Sequence, residues 1–294
     1  MVWDVGPDDV ASEVPQTVAD IAERVSPGLA SKGDGLRAFV NGRRVELSHP
    51  VEAGDRVELF PVRQPRDGEV EILAQRHGVL LVSKPAGLPT EATKLGDESL
   101  VSKLIERLKG GTVHAASRLD TMVSGVAVCT LGSDAARRIA YWREKRQLTR
   151  RYLALGLGTL SEAEGSWTWP LGKGRDRGGR HLARSGVKGA KPAVTRYRVI
   201  AESHGVSWLE LTPETGRMHQ LRCHAQLAGV PLLGDQRYGG PKQLVAADGR
   251  VLSLGRIALH CERVFFPAVS ATLPWPADLN AWWLAAGGDE AAAG

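Results

Sequence analysis

Six short β-type runs punctuate the chain after Val70: Val79–Ser83, Gly125–Thr130, Arg151–Leu155, Thr195–Ile200, Ser207–Thr212 and Val264–Phe266. Each has the length of a buried or half-buried strand and is set off by turn-forming residues. In the run from Thr195, residues Thr195, Tyr197 and Val199 alternate with Arg196, Arg198 and Ile200, which is the period of a sheet with two unlike faces. Helical patterns fall at 98–108, 133–145 and 218–228, the last stopped by Gly229 with Pro231 just beyond. They do not recur strand by strand, so the regular βαβ alternation of a parallel sheet is missing. The chain is expected to fold as α+β around a mixed, mostly antiparallel sheet.

The first 63 residues read as a separate small unit. A helical pattern over Val18–Val25 precedes a hairpin over Ala38–Val45, whose Asn41-Gly42 pair is a strong two-residue turn signal. Gly54-Asp55 turns the chain into a further strand, Arg56–Phe60. Residues 64–69 read as a polar linker, 70–286 as the main domain and 287–294 as a disordered tail. The loop from Gly172 to Pro192, rich in Gly, Arg and Lys, is expected to be mobile or ordered only by a ligand.

With 294 residues, 43% of them apolar, a sizeable core is within reach. No run approaches the roughly 18 apolar residues that suggest a membrane span. The acidic first thirty residues do not read as a secretory signal. Three widely spaced cysteines, Cys129, Cys223 and Cys261, argue against a disulfide framework and for a reducing compartment, the cytoplasm by default. The net charge is only +5, yet the segment from Asp134 to Arg198 holds sixteen Lys/Arg against five Asp/Glu. A basic zone on an otherwise acidic chain is the footprint expected of a polyanion binder, although a solvated charged face has the same composition.

Four constellations carry chemistry-bearing groups. The first is Ser117-Arg118-Leu119-Asp120 followed by Thr121-Met122-Val123-Ser124-Gly125; alone, its Asp reads more readily as a turn cap than as a catalytic group. The second runs from Thr215 to His224 as Thr-Gly-Arg-Met-His-Gln-Leu-Arg-Cys-His at the start of a helix. Its His219, Cys223 and His224 are plausible zinc ligands, but adjacent Cys223 and His224 diverge on a helix and no partner motif occurs elsewhere. The third is the turn from Pro231 to Gly240, read as packing; the fourth is Arg150-Arg151-Tyr152 at the head of a strand.

In this order the four resemble the RluA-type family of pseudouridine synthases. That family writes the first motif His-Arg-Leu-Asp-x-x-Thr-Ser-Gly, so Ser117 and Val123 depart from it. Lys84-Pro85-Ala86-Gly87 and Leu259-His260 match its opening and closing motifs, and the likeness spans roughly residues 70 to 270. The resemblance implies a sheet domain of pseudouridine synthase type that isomerises uridine in structured RNA, rRNA or tRNA, without cofactor or metal. It implies Asp120 as the catalytic carboxylate, Tyr152 stacked on the target uracil, and Arg222 paired to Asp120. Arg118 is similar to the arginine that fills the gap left by a flipped nucleotide. RNA contacts are expected from Arg150, Arg151, Lys173, Arg175, Arg177, Arg217, His219 and Gln220. The upstream unit resembles an S4-like RNA-binding module, with a TGS fold as the other possibility. A monomer is expected. The departures at Ser117 and Val123 leave open a non-catalytic RNA-binding or ribosome-assembly protein on the same scaffold, and the zinc reading would make a hydrolase.

The implied reaction needs a charged carboxylate beside the ribose C1′ and uracil C6. Burial alone neutralises a carboxylate and an adjacent guanidinium favours its charged form, so a bidentate Arg222–Asp120 pair is expected. Stacking on an aromatic ring, about 1–3 kcal/mol per base, offsets the unstacking of the target.

Overall fold

The computed structural model describes residues 2–7, 16–25, 36–61, 69–92, 98–175 and 181–289. Most of the expected linker, Arg177 and the last five residues lie outside them. The chain divides into two compact units, Met1–Pro65 and Arg66–Gly294.

In the first unit, strands β1 (Val2–Asp4), β2 (Leu36–Val40), β3 (Arg43–Val45) and β4 (Arg56–Pro61) form an antiparallel sheet in the order β1-β4-β2-β3. Helix α1 (Val18–Val25) is opened by a reciprocal cap: Thr17 N donates to the Asp20 carboxylate at 2.7 Å, and Asp20 N to Thr17 Oγ1 at 3.3 Å. Its Val18, Ile21 and Ala22 are buried with Ala38, Val40, Val57 and Leu59. The two predicted turns meet: Asn41 Nδ2 donates to Asp55 Oδ1 at 2.7 Å, and Arg56 N to Asn41 Oδ1 at 3.0 Å.

The second unit runs β5 (Ile72–Arg76), β6 (Val79–Lys84), α2 (Leu100–Arg107), β7 (Val113–Ala115), β8 (Ser124–Leu131), α3 (Gly132–Glu144), β9 (Thr149–Leu157) and β10 (Glu164–Trp167). It continues through β11 (Gly172–Arg175), β12 (His181–Arg184), β13 (Thr195–Ser203), β14 (Val206–Pro213), α4 (Gln220–Leu227), β15 (Gln243–Val245), β16 (Val251–Ser253), β17 (Leu259–Phe266), β18 (Val269–Thr272) and α5 (Ala277–Ala285). The central sheet is ordered β10-β13-β14-β9-β17-β8-β6-β5, with β7 on β8 and β18 on β17. Its pairs are antiparallel except β17–β8, so the sheet is mixed as expected. Tight turns at His77-Gly78 and His204-Gly205, all four residues at positive φ, close the hairpins β5–β6 and β13–β14 as Asn41-Gly42 closes β2–β3.

The parallel pair is where the motifs converge. Gly125 of β8 faces Cys261 of β17, and a Cβ on Gly125 would lie 2.3–2.4 Å from the Cys261 backbone, so only glycine admits this approach. Beside it, Ser124 Oγ lies 2.7 Å from His260 Nδ1, tying the first motif to the last. Registers from β14 to β6 align Leu211, Tyr152, Cys261, Gly125 and Lys84 in one row across five strands.

Two expectations need correction. Within the Gly172–Pro192 segment the described residues form the β11–β12 hairpin, flanked by buried Leu171 and anchored by buried Leu182 and Ala183, so this part has structure of its own. Residues 287–289 pack back onto α5: Gly288 N donates to Trp283 O and Trp283 Nε1 to Asp289 O, both at 3.0 Å. Among the described residues no helix is long and apolar enough to cross a membrane.

Candidate active site

Asp120 sits in a loop held from both sides. Thr90 exchanges two hydrogen bonds with the Leu119 backbone, at 2.7 and 3.1 Å. Gly87 N and Lys84 Nζ donate to Thr121 O at 2.7 and 3.3 Å. Leu119 and Val123 are buried in the main core, and Val123 N returns to Asp120 O at 3.0 Å, closing a turn around the acid. The core side of this loop is thus apolar and its polar groups are answered locally. Asp120 is left as the part that turns to solvent, its side chain 28% exposed. Lys84 itself is buried, with Nζ also on Pro85 O and Leu88 O at 2.9 and 2.7 Å; burial, reinforced by Arg256, takes its pKa down to about 7.

Opposite stands the start of α4. Arg222 Nη1 donates to Asp120 Oδ2 at 2.7 Å, while its Nε and Nη2 donate to Asp235 Oδ2 and Oδ1 at 2.6 and 2.7 Å. The bidentate partner is therefore Asp235, and Asp120 receives one bond; the expected bidentate Arg222–Asp120 pair is corrected. A guanidinium has only one such fork per edge, and the buried carboxylate has taken it. Burial opposes the Arg222 charge, but the two carboxylates outweigh it and its pKa lies above the usual arginine value. His219 Nε2 faces the other oxygen, Asp120 Oδ1, at 3.8 Å, and its Nδ1 lies 2.9 Å from the Tyr238 hydroxyl. Burial is the largest influence on His219, and its pKa is lowered.

Asp120, Arg222 and His219 border a cleft of about 930 Å3. Tyr152 lines it as part of the strand row described above; burial drives its phenol well above the ordinary tyrosine value, so the ring is a neutral surface. Arg143, Arg146 and Arg150 line the same cleft, and no described carboxylate lies within 4.0 Å of any of them. Arg143 also donates to Ala116 O, at the root of the Asp120 loop.

The structure brings together Asp120, Tyr152, Arg222, Arg118, Arg150, Lys173, Arg217, His219 and Gln220, all of which line the cleft. Arg118 is at its exposed edge, 3.6 Å from Glu91. Gln220 is internal instead: it accepts from Thr215 Oγ1 and Arg217 N and donates to Val194 O and Thr195 Oγ1, so it holds the loop before α4. Arg151 does not line the cleft, since alternation along β9 turns it away from Arg150 and Tyr152 and onto Glu262 at 2.5 and 2.7 Å. Arg175 sits on β11 outside the lining, and Arg177 is outside the described residues. The three zinc-type donors disperse: Cys223 Sγ meets Ala183 O, His224 meets Thr195 and Trp169 O, and His219 meets Tyr238. Sequence reasoning missed Asp235 and Tyr238, reading their turn as packing, although an acid in a Gly-Asp turn beside a helix arginine was the available signal.

A family model described as RNA pseudouridylate synthase matches residues 78–227, and one described as TGS domain matches residues 8–61. The first unit is accordingly of TGS type, and the S4-like expectation gives way. The chain is 33% identical over 266 residues to the uncharacterized RNA pseudouridine synthase YhcT of Bacillus subtilis (strain 168), covering 86% of this chain and 79% of that protein. It is 32% identical to tRNA pseudouridine synthase C of Salmonella typhimurium (strain LT2), covering 74% and 88%. Among solved structures, human RNA pseudouridylate synthase domain containing 1 superposes with a TM-score of 0.59 at 27% identity, covering 73% of this chain and 87% of that one.

Proposed function

The chain belongs to the RluA-type family of RNA pseudouridine synthases and isomerises uridine to pseudouridine in RNA, and we propose that Asp120 is the carboxylate that carries out the reaction. One observation carries this reading: Asp120 has one oxygen held by Arg222 at 2.7 Å and the other open to a cleft that Tyr152 also lines. In the reaction the C1′–N1 bond breaks, the uracil turns, and C1′ bonds to C5; C5 gives up its proton and N1 gains one. Asp120 acts at C1′ or C6 through its open oxygen. Tyr152 stacks on the base, and Arg222 holds the acid aimed at it.

The target nucleotide leaves its stack to enter the cleft, at a cost of a few kcal/mol. Arg118, exposed at the rim, occupies the vacated gap. Arg143, Arg146, Arg150 and Lys173 hold the flanking phosphates, an electrostatic contribution that salt weakens. The substrate is structured RNA, rRNA or tRNA, and the enzyme works as a monomer in the cytoplasm. Three free, buried cysteines suit a reducing compartment.

The test is Asp120→Asn in the full chain. Pseudouridine formation is expected to vanish while RNA binding persists; full turnover by the variant would remove Asp120 from this role.

A further inference from the structure

The turn from Pro231 to Gly239 is the motif that the reaction, as described so far, leaves without a task, yet two of its side chains, Asp235 and Tyr238, reach the Asp120 assembly. Asp235 is 1% exposed and takes both oxygens to Arg222. Its position is demanded by the backbone: Gly234 has φ +78°, and a Cβ there would meet Arg256 O at 1.8 Å. With Nε and Nη2 engaged by Asp235, Arg222 has Nη1 left for Asp120, and that nitrogen reaches Oδ2 alone.

Tyr238 does the corresponding work on His219. Its hydroxyl accepts the backbone N–H of Ala183, on β12, at 2.7 Å. His219 Nδ1 lies 2.9 Å from the same hydroxyl, whose own proton is not used by Ala183. An imidazole that accepts at Nδ1 carries its hydrogen on Nε2 when neutral, and Nε2 is the atom facing Asp120 Oδ1. His219 holds this orientation from a left-handed backbone, φ 50° and ψ 26°, at the N-terminus of α4, where its side chain makes no cap. A non-glycine residue in that region is strained, and here its side chain is committed to Tyr238 instead.

We infer that Asp235 and Tyr238 are positioning residues that divide the two oxygens of Asp120 between separate tasks, Asp235 by aiming Arg222 at Oδ2 and Tyr238 by fixing His219 as an Nε2–H donor facing Oδ1. The 3.8 Å gap leaves Oδ1 unengaged in the resting enzyme, so it is the oxygen that reacts, and His219 Nε2–H steadies whatever charge remains on it. Because Ala183 belongs to the hairpin bearing Lys173, the same chain of hydrogen bonds links an RNA-contacting element to the acid. The inference rests on the reading of Asp120 as the reacting carboxylate.

The experiment uses the full chain labelled with 15N-histidine, with His219 assigned by the signal that disappears in His219→Gln. Long-range proton–nitrogen correlation is expected to show hydrogen on Nε2 in the wild type. Tyr238→Phe should shift His219 towards the Nδ1–H form and lower kcat about tenfold, the equivalent of one net hydrogen bond near 1.4 kcal/mol, with KM for RNA little changed. A tautomer unmoved by Tyr238→Phe, or one that moves with kcat intact, overturns the proposal. If that variant does not fold, wild-type His219 with its hydrogen on Nδ1 overturns it alone. Turnover by Asp120→Asn would defeat the underlying reading while leaving the tautomer result as measured, so the two failures are separable.

Discussion

Arg222 gives Asp235 two hydrogen bonds, at 2.6 and 2.7 Å, and Asp120 one, at 2.7 Å. The fully buried acid thus anchors the guanidinium, and the partly exposed acid receives its remaining edge. An ion pair this deep is costly to desolvate and contributes direction more than stability. Removing one member leaves the other as an uncompensated charge.

Arg222→Met is therefore expected to cost about 3–5 kcal/mol of stability, because Asp235 stays buried without a partner. Adding Asp235→Leu should return most of that loss, while pseudouridine formation stays absent in both variants. Denaturant unfolding of the wild type, the single and the double variant measures the cycle. A double variant no more stable than the single one would show that the buried charge is not the source of the loss.

Tyr152→Phe keeps the ring and Tyr152→Leu removes it. If the ring works by stacking, the leucine variant should lose about 1–3 kcal/mol of transition-state stabilisation, roughly 5- to 150-fold in kcat/KM, and the phenylalanine variant much less. Steady-state kinetics on a single RNA substrate separates them. Equal losses would point to the hydroxyl.

Arg143, Arg146 and Arg150 have no carboxylate partner among the described residues, unlike Arg151. Replacing any one by Gln should weaken RNA binding and reduce the slope of log K against log salt by about 0.7–0.9 for each phosphate left without its cation. Arg151→Gln should leave that slope unchanged. Binding titrations across a salt series read the outcome, and a slope that responds only to Arg151 would reverse the assignment.

Burial takes Lys84 from its usual 10.5 to about 7. Between those values the unfolded chain binds more protons than the folded one, so this group's contribution to stability rises with pH across that window and is lowest below its folded pKa. The difference in unfolding free energy between wild type and Lys84→Met should therefore shift in favour of the wild type between about pH 7 and about pH 9. A difference that stays flat with pH would mean that the folded state does not disfavour the lysine charge.

Much of the fold was legible because it is written in local terms. The strand runs, the helix stops and the Asn41-Gly42 turn each depend on neighbours in the chain, and each stands where the pattern puts it. Helix α5 escaped notice because Leu279, Trp282 and Trp283 are buried and Leu284 is apolar too, so no polar-apolar face marks it. The Gly172–Pro192 segment looked structureless because glycines and charges hide a hairpin whose few apolar residues pack against α4 and the turn at Tyr238.

The same division holds at the site. Asp120, Tyr152 and Arg222 were named through the family resemblance of the motifs that hold them, and the fold brings all three to one cleft. Which acid Arg222 would grip, which way Arg151 would turn, and that Tyr238 would reach His219 came only from the folded chain. Each is a contact between residues distant in sequence or on opposite faces of a strand, settled by register and burial, and a hydrogen bond goes to the partner that packing leaves within about 3 Å.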